Sequence, residues 1–345
     1  MESKKIYLLT SGNIHELTGG YLYNQRLAAG LSQKGHTVKV ISLAETPSDQ
    51  SVLENALRRQ LRQTEPGSCV VIDSIVLGMM NRVIKEHGNR YYFVGLVHLP
   101  ATLDLHKTDK EMELAENELE SMNALNQLVV TGNYIKQLLE QAGLDGSKIS
   151  IIEPGVDNFP RKRDYAGLPF ELLCISNFSW IKGQMLLADA LSRLTNRNWT
   201  LRMYGNMSAG KEYVDSLKKL IASRNLGGRI QLHDTLNRED ISSAFLKADL
   251  FVLPTQFESF GMVLTESLAH GIPVVTTTAG NLVHTVPAGM GILTEPGNVD
   301  ELSFVLNRLF TDRNAYGSLC RSAALYYMMA RSWEATVAEF EEILR

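Results

Sequence analysis

Short apolar runs alternate with longer amphipathic stretches along the chain. The runs at residues 6–9, 37–42, 70–72, 91–97, 128–130 and 149–152 are too short for buried helices and rich in Val, Ile, Leu and Tyr, so they predict strands. A second series follows at 172–175, 200–204, 230–232, 250–253 and 274–277. The intervening segments carry apolar positions at helical spacing; residues 21–34, closed by Gly35, are the clearest case. Strand and helix in strict alternation predict an α/β protein whose parallel sheets are covered on both faces. The rhythm breaks once, at residues 154–168, where Pro154, Gly155 and Pro160 surround the basic group Arg161, Lys162, Arg163. That segment reads as an interdomain linker.

The most informative stretch is residues 249–275, DLFVLPTQFESFGMVLTESLAHGIPVV. It reads as a strand, a polar loop holding Glu258 and Gly261, a helix over 262–270 stopped by Gly271, and a further strand. Glu258 and Glu266 are eight positions apart, so one acid lies in the loop and the other about a turn into the helix. Both fall beyond the C-terminal edge of a strand, where open α/β sheets bind ligands. The helix N-terminus offers unpaired N–H groups and partial positive charge, and Gly261 lets a ligand approach its backbone. Two glutamates ordinarily mark a solvated helix face. Here Met262, Val263, Leu264, Leu268 and Ala269 predict a helix buried on more than one side, where an acid needs a partner such as a hydroxyl-rich ligand.

Other positions at strand ends repeat the logic. Gly19-Gly20 follows the first strand and by itself is a weak signal that fits a tight turn; with no G-x-G-x-x-G, a dinucleotide site is not expected. His98 ends the strand at 91–97, as a structural histidine or a site residue. Asp73 ends the strand at 70–72 and fits either a site or the cap of a helix starting at Ser74. Lys182, in SNFSWIKG at 176–183, begins a helix, where a cation is unfavourable unless an anion joins it.

The length of 345 residues suits two domains. With 44% hydrophobic and 21% charged residues and a net charge of −4, the chain is globular and lacks the basic balance of a nucleic-acid binder. Cys69, Cys174 and Cys320 are far apart and read as reduced core thiols without metal spacing. No apolar run approaches the ~20 residues of a membrane span, and MESKKIYLLTSGN reads as a first strand rather than a signal peptide. A cytoplasmic location is expected, with peripheral contact at the inner membrane face left open. No Asp-x-Asp pair, G-x-S-x-G or P-loop occurs.

ESFGMVLTE, with its Phe-Gly core and the downstream GIPVV, resembles the E-x7-E signature of the family 4 retaining glycosyltransferases. The resemblance covers nearly the whole chain: Gly155-Val156-Asp157 is similar to the family's interdomain motif, and a helix at 332–344 with Trp333 is similar to its C-terminal tail. It implies the GT-B fold, two Rossmann-like parallel-sheet domains facing across a cleft. The domains are expected at 1–158 plus the C-terminal segment 328–345, and at 159–327, the second binding the nucleotide sugar. The implied catalytic set is His98, Glu258 and Lys182, with His98 touching the donor sugar. Glu266 is expected to hold the ribose; Glu258, Phe260, Gly261 and Met262 to surround the sugar; Lys182 and Asn177 to bind the diphosphate. Gly19 and Gly20 face that diphosphate from the first domain, and Gly205, Thr235 and Val263 complete the donor set. Asn177 stands where the family's Arg-x4-Lys pair has arginine, so it brings hydrogen bonds without charge.

The implied activity is retaining, metal-independent transfer of a hexose from a nucleotide diphosphate sugar, a UDP-hexose on family frequency, to a saccharide or lipid-linked acceptor. No cofactor or metal is expected. A sugar-nucleotide epimerase, a sugar-binding protein and an inactive nucleotide-sugar-binding subunit are the alternatives. The acceptor pocket is expected at 11–18 and 99–108, with a lipid acceptor approaching through Arg58, Arg59 and Arg62 or through the linker.

Overall fold

A computed structural model describes residues 3–12, 18–43, 50–100, 109–162 and 170–344. The chain forms two compact units, Met1–Gly155 with Arg331–Arg345, and Val156–Ala330. Each crossing falls three residues from its expected place, after 155 rather than 158 and after 330 rather than 327.

Unit 1 holds β1 (Lys5–Thr10), β2 (Thr37–Ser42), β3 (Cys69–Asp73), β4 (Tyr92–Val97), β5 (Gln127–Val130) and β6 (Ile149–Ile151). They form one parallel sheet in the order β2-β1-β3-β4-β5-β6. Every residue of β3 is buried, because a central strand of a covered parallel sheet has no solvent face. Unit 2 holds β7 (Phe170–Ile175), β8 (Trp199–Tyr204), β9 (Ile230–His233), β10 (Leu250–Val252), β11 (Val274–Thr277) and β12 (Gly291–Thr294). Its parallel order, β12-β11-β10-β7-β8-β9, is that of a Rossmann sheet, reversing direction between β7 and β10. The sequence pattern predicts eleven of these twelve strands; β12, which starts on a glycine, is the one it misses.

Helix α1 (Gly19–Gln33) corrects the expectation of a glycine loop. Gly19 and Gly20 are its first two residues, because Thr18 caps it by accepting from the Tyr21 N–H at 3.3 Å. Gly20 has a different use: a Cβ there falls 3.1 Å from His98 Cδ2, so its lack of one lets α1 lie against that ring.

The linker expectation is also corrected. Phe159 stacks on the His270 ring at 4.3 Å, the Lys162 N–H donates to the His270 carbonyl, and Lys162 Nζ pairs with Asp249 at 2.7 Å. Arg161 lies over the Tyr327 ring at 3.8 Å. These residues are docked onto unit 2 rather than forming an unengaged basic patch; Arg163 lies outside the described residues. Arg58 is likewise engaged, by Glu54 at 3.2 Å and Glu86 at 2.9 Å. Residues 13–17 and 101–108 of the expected acceptor loops lie outside the described residues.

The helix that follows unit 2 returns to unit 1. Trp333 packs edge-on against Tyr23 of α1 at 5.7 Å, and the Thr336 hydroxyl donates to the Glu153 carbonyl at 2.8 Å. Glu341 accepts from Lys34 at 2.7 Å and pairs with His36 Nε2 at 3.0 Å. Trp333→Ala therefore removes a buried indole and is expected to cost about 3–5 kcal/mol. A urea melt checks it; an unchanged midpoint would show that the helix contributes nothing to unit 1.

Candidate functional site

The strand order of unit 2 reverses between β7 and β10, so the chain segments leaving these strands diverge and open a crevice at their C-terminal ends. Lys182 comes from the first segment and Glu258 from the second. After β7 the chain makes a 3-10 turn, Trp180–Lys182, then bends at Gly183 into helix α2 (Gln184–Ser192). Gly183 is left-handed, φ 71°, and a Cβ there meets the Pro254 carbonyl, so only glycine fits. Lys182 is thus in the turn before the helix rather than its opening residue. Two bonds tie the two segments together: the Thr255 hydroxyl donates to the Ile181 carbonyl at 2.9 Å, and the Gln256 N–H donates to the same carbonyl at 2.6 Å.

Glu258 is held by its own backbone. Its carbonyl accepts from the Asn281 N–H at 3.0 Å, and left-handed Gly280, φ 59°, presses against its main chain where a Cβ has no room. The result is a Lys182 Nζ–Glu258 Oε2 pair at 2.6 Å, with side chains 25% and 14% exposed. An ammonium has three donors, so Lys182 keeps two for other acceptors.

Helix α3 (Met262–Ala269) starts at Gly261, φ 88°, without a side-chain cap, as α2 starts without one. The first N–H groups of each helix lack intrahelical partners by geometry, although the Met185 N–H donates to the Tyr213 hydroxyl at 3.1 Å. Phe260 is buried, Met262 and Val263 half-buried. Glu266 is half-buried one turn into α3. Its carbonyl accepts from the His270 N–H at 3.1 Å and lies 2.7 Å from Nδ1. His270 lies between the Phe159 and Phe245 rings, and its Nε2 is 2.9 Å from the Ser242 hydroxyl. Nδ1 therefore donates to the carbonyl and Nε2 accepts from the hydroxyl, a neutral ring that clamps the end of the Glu266 helix.

Asn177 is exposed, and its carbonyl accepts from Gln184 Nε2 at 2.9 Å. Gly205 is buried against the Ser176 carbonyl and the Phe178 ring. Thr235 lies exposed beyond edge strand β9, and among the described residues no contact joins it to Lys182 or Glu258. Unit 1 holds its own group. His98 follows β4, half-buried, with Nε2 3.0 Å from Asn24 Oδ1. Asp73 caps a short helix by accepting from the Ile75 N–H at 3.1 Å, the structural alternative raised by its position. Among the described residues, no cluster of three or more His, Cys, Asp or Glu could hold a metal.

Residues 157–324 match the family model described as "Glycosyl transferases group 1". That segment carries a group 1 glycosyltransferase domain. A D-inositol 3-phosphate glycosyltransferase of Arthrobacter sp. (strain FB24) is 28% identical over 65% of this chain and 56% of its own length. That match therefore spans little more than half of the relative. Among solved structures, sucrose-phosphate synthase of Thermosynechococcus elongatus superposes with a TM-score of 0.85 at 18% identity, over 99% of this chain and 98% of the other. The Anabaena protein Alr3699/HepE in complex with UDP-glucose superposes with a TM-score of 0.82 at 19% identity, over 99% of both chains. The chain thus has the GT-B fold. Among its described residues no helix is long and apolar enough to cross a membrane.

Burial pushes His270 and His98 below the ordinary histidine range, the nearby Asp73 partly opposing this for His98. A depressed folded-state value means that the unfolded chain binds protons that the native chain refuses. Stability is then fully present above about pH 6.5 and falls as pH drops below it. The melting temperature should decrease from pH 7.5 to pH 5.5, and His270→Gln should flatten that slope. A profile that rises on acidification would contradict the neutral clamp.

Proposed function

We propose that the protein is a retaining, metal-independent hexosyltransferase using a nucleotide diphosphate sugar, a UDP-hexose by expectation, and a saccharide or lipid-linked acceptor. The observation that carries this reading is the Lys182–Glu258 pair at the strand-order reversal, flanked by the uncapped starts of α2 and α3. Two cationic donors of Lys182 and the N–H groups of these helix ends suit a diphosphate and stabilise its charge as it departs. Glu266 accepts from the ribose hydroxyls. Glu258 and the Phe260–Met262 backbone orient the sugar, and His98 contributes from unit 1. The bond from the anomeric carbon to the diphosphate oxygen breaks, the acceptor oxygen attaches on the face thus vacated, and its proton passes to a departing phosphate oxygen. No protein nucleophile is needed. The UDP-glucose complex of the Anabaena protein supports the donor class, and the missing Asp-x-Asp motivates metal independence.

An inactive nucleotide-sugar-binding subunit is the second reading, favoured by uncharged Asn177 at the family's arginine position. Incubation with UDP-glucose and a disaccharide or alkyl glycoside separates the two through release of UDP. The transferase should release UDP at a rate that a chelator leaves within about twofold, and the fresh product should show an α-anomeric proton signal. Restoration of a chelated enzyme by magnesium, or a β-linked product, would refute the mechanism. Glu266→Ala should weaken UDP binding about tenfold or more, because a carboxylate accepting ribose hydroxyls contributes roughly 1.5–3 kcal/mol. Calorimetry with UDP reads this directly; unchanged affinity in a folded variant would remove Glu266 from the site.

A further inference from the structure

A buried polar chain runs behind His98 in unit 1. Asn24 lies on the buried face of α1 beside Tyr23 and Leu27, fully enclosed. Its Nδ2 donates to Asp73 Oδ2 at 2.6 Å, and the enclosed Thr10 hydroxyl donates to the same oxygen at 3.0 Å. The other carboxylate oxygen accepts from the Ile75 N–H at 3.1 Å. Thr10 ends β1 and Asp73 ends β3, adjacent strands at which this sheet's order reverses. A carboxylate only accepts, so the amide NH2 of Asn24 must face Asp73 and its Oδ1 must face His98. The group 3.0 Å from Oδ1 is His98 Nε2, which must therefore carry hydrogen. Tyr23, edge-on at 5.3 Å, and Gly20, against Cδ2, fix the plane of the ring. His98 Nδ1 has no partner among the described residues.

We propose that Asn24, oriented by Asp73 and Thr10, is a positioning residue that sets His98 as the Nε2–H tautomer, leaving Nδ1 to accept a hydrogen bond from a hydroxyl of the donor sugar. The identity of that hydroxyl rests on the glycosyltransferase reading; the tautomer does not. An imidazole presenting a bare nitrogen recognises a hydroxyl donor and gives no charge to the sugar, which separates its task from that of Lys182.

The test starts with 15N-histidine NMR of the wild-type protein, which has eight histidines, the His98 signals being identified by their loss in His98→Gln. Nε2 should give the protonated and Nδ1 the unprotonated type of shift at pH 7.5; the reverse would overturn the tautomer assignment. Saturating UDP-glucose should move the Nδ1 resonance while UDP alone leaves it in place. An Nδ1 signal indifferent to bound UDP-glucose would overturn the hydroxyl contact. Asn24→Leu should mix the tautomers and lower kcat about tenfold while UDP affinity stays within about threefold, the loss of one positioning hydrogen bond. A folded Asn24→Leu protein with wild-type kcat would overturn the positioning role. If Asn24→Leu fails to fold, the wild-type spectra still decide. Wild-type protein that turns over no nucleotide sugar would remove the donor reading and leave the tautomer result standing.

Discussion

The Lys182–Glu258 ion pair depends on a topological constraint, since its partners stand 76 residues apart and meet only because β7 and β10 are neighbours. The pair is cheap to form there. Gly183 bends one segment tightly enough for the Pro254 carbonyl to fill the space of a side chain, and Gly280 does the same beneath Glu258. The Thr255 and Gln256 bonds to Ile181 fix one loop to the other, so both charges sit on backbone that is already ordered. An ion pair assembled this way needs no further ordering of the backbone, only of the two side chains. It also stores a cation and an anion at the same crevice, where a charged, hydroxylated ligand can draw on both.

Unit 1 solves the corresponding problem with a buried carboxylate held by neutral donors. At its own strand-order reversal, Thr10, Asp73 and Asn24 are enclosed and mutually satisfied, as a low-dielectric interior requires. Electrostatics thus differ in kind between the two units: an ion pair at the ends of β7 and β10, and a buried carboxylate with an oriented amide behind the residue that follows β4. His270 shows that unit 2 uses the second device as well, in the aromatic clamp that closes the Glu266 helix.

The strand series was legible because covered parallel strands are short, continuous apolar runs, and eleven of the twelve read that way. β12 was not, because Gly291–Thr294 has little strand character of its own and is extended through four paired positions with β11. Glu258, Glu266 and Lys182 could be singled out by their places at strand and helix ends, whereas the contact between Lys182 and Glu258 could not, being a product of strand order. Gly19-Gly20 read as a loop since two glycines outweigh any local helix preference; the Thr18 cap and the need to pass His98 overrode it. Asn24 left a signal that pattern reading passed over, a short amide on the apolar stripe of α1. The linker's prolines and arginines were visible in the sequence, but the Phe159–His270 stack and the Lys162–Asp249 pair that dock it were not.

The helix carrying Trp333 and Phe340 completes the core of unit 1, yet it is encoded after the whole of unit 2. On the ribosome, residues 156–330 separate the two parts of unit 1, a delay of roughly ten to a few tens of seconds at ordinary elongation rates. Throughout that interval the face of α1 that receives Trp333 has no cover, and at its end unit 2 has every residue it needs. Synthesis therefore favours an inverted schedule, in which the later-encoded unit has its full sequence before the N-terminal sheet receives its last helix.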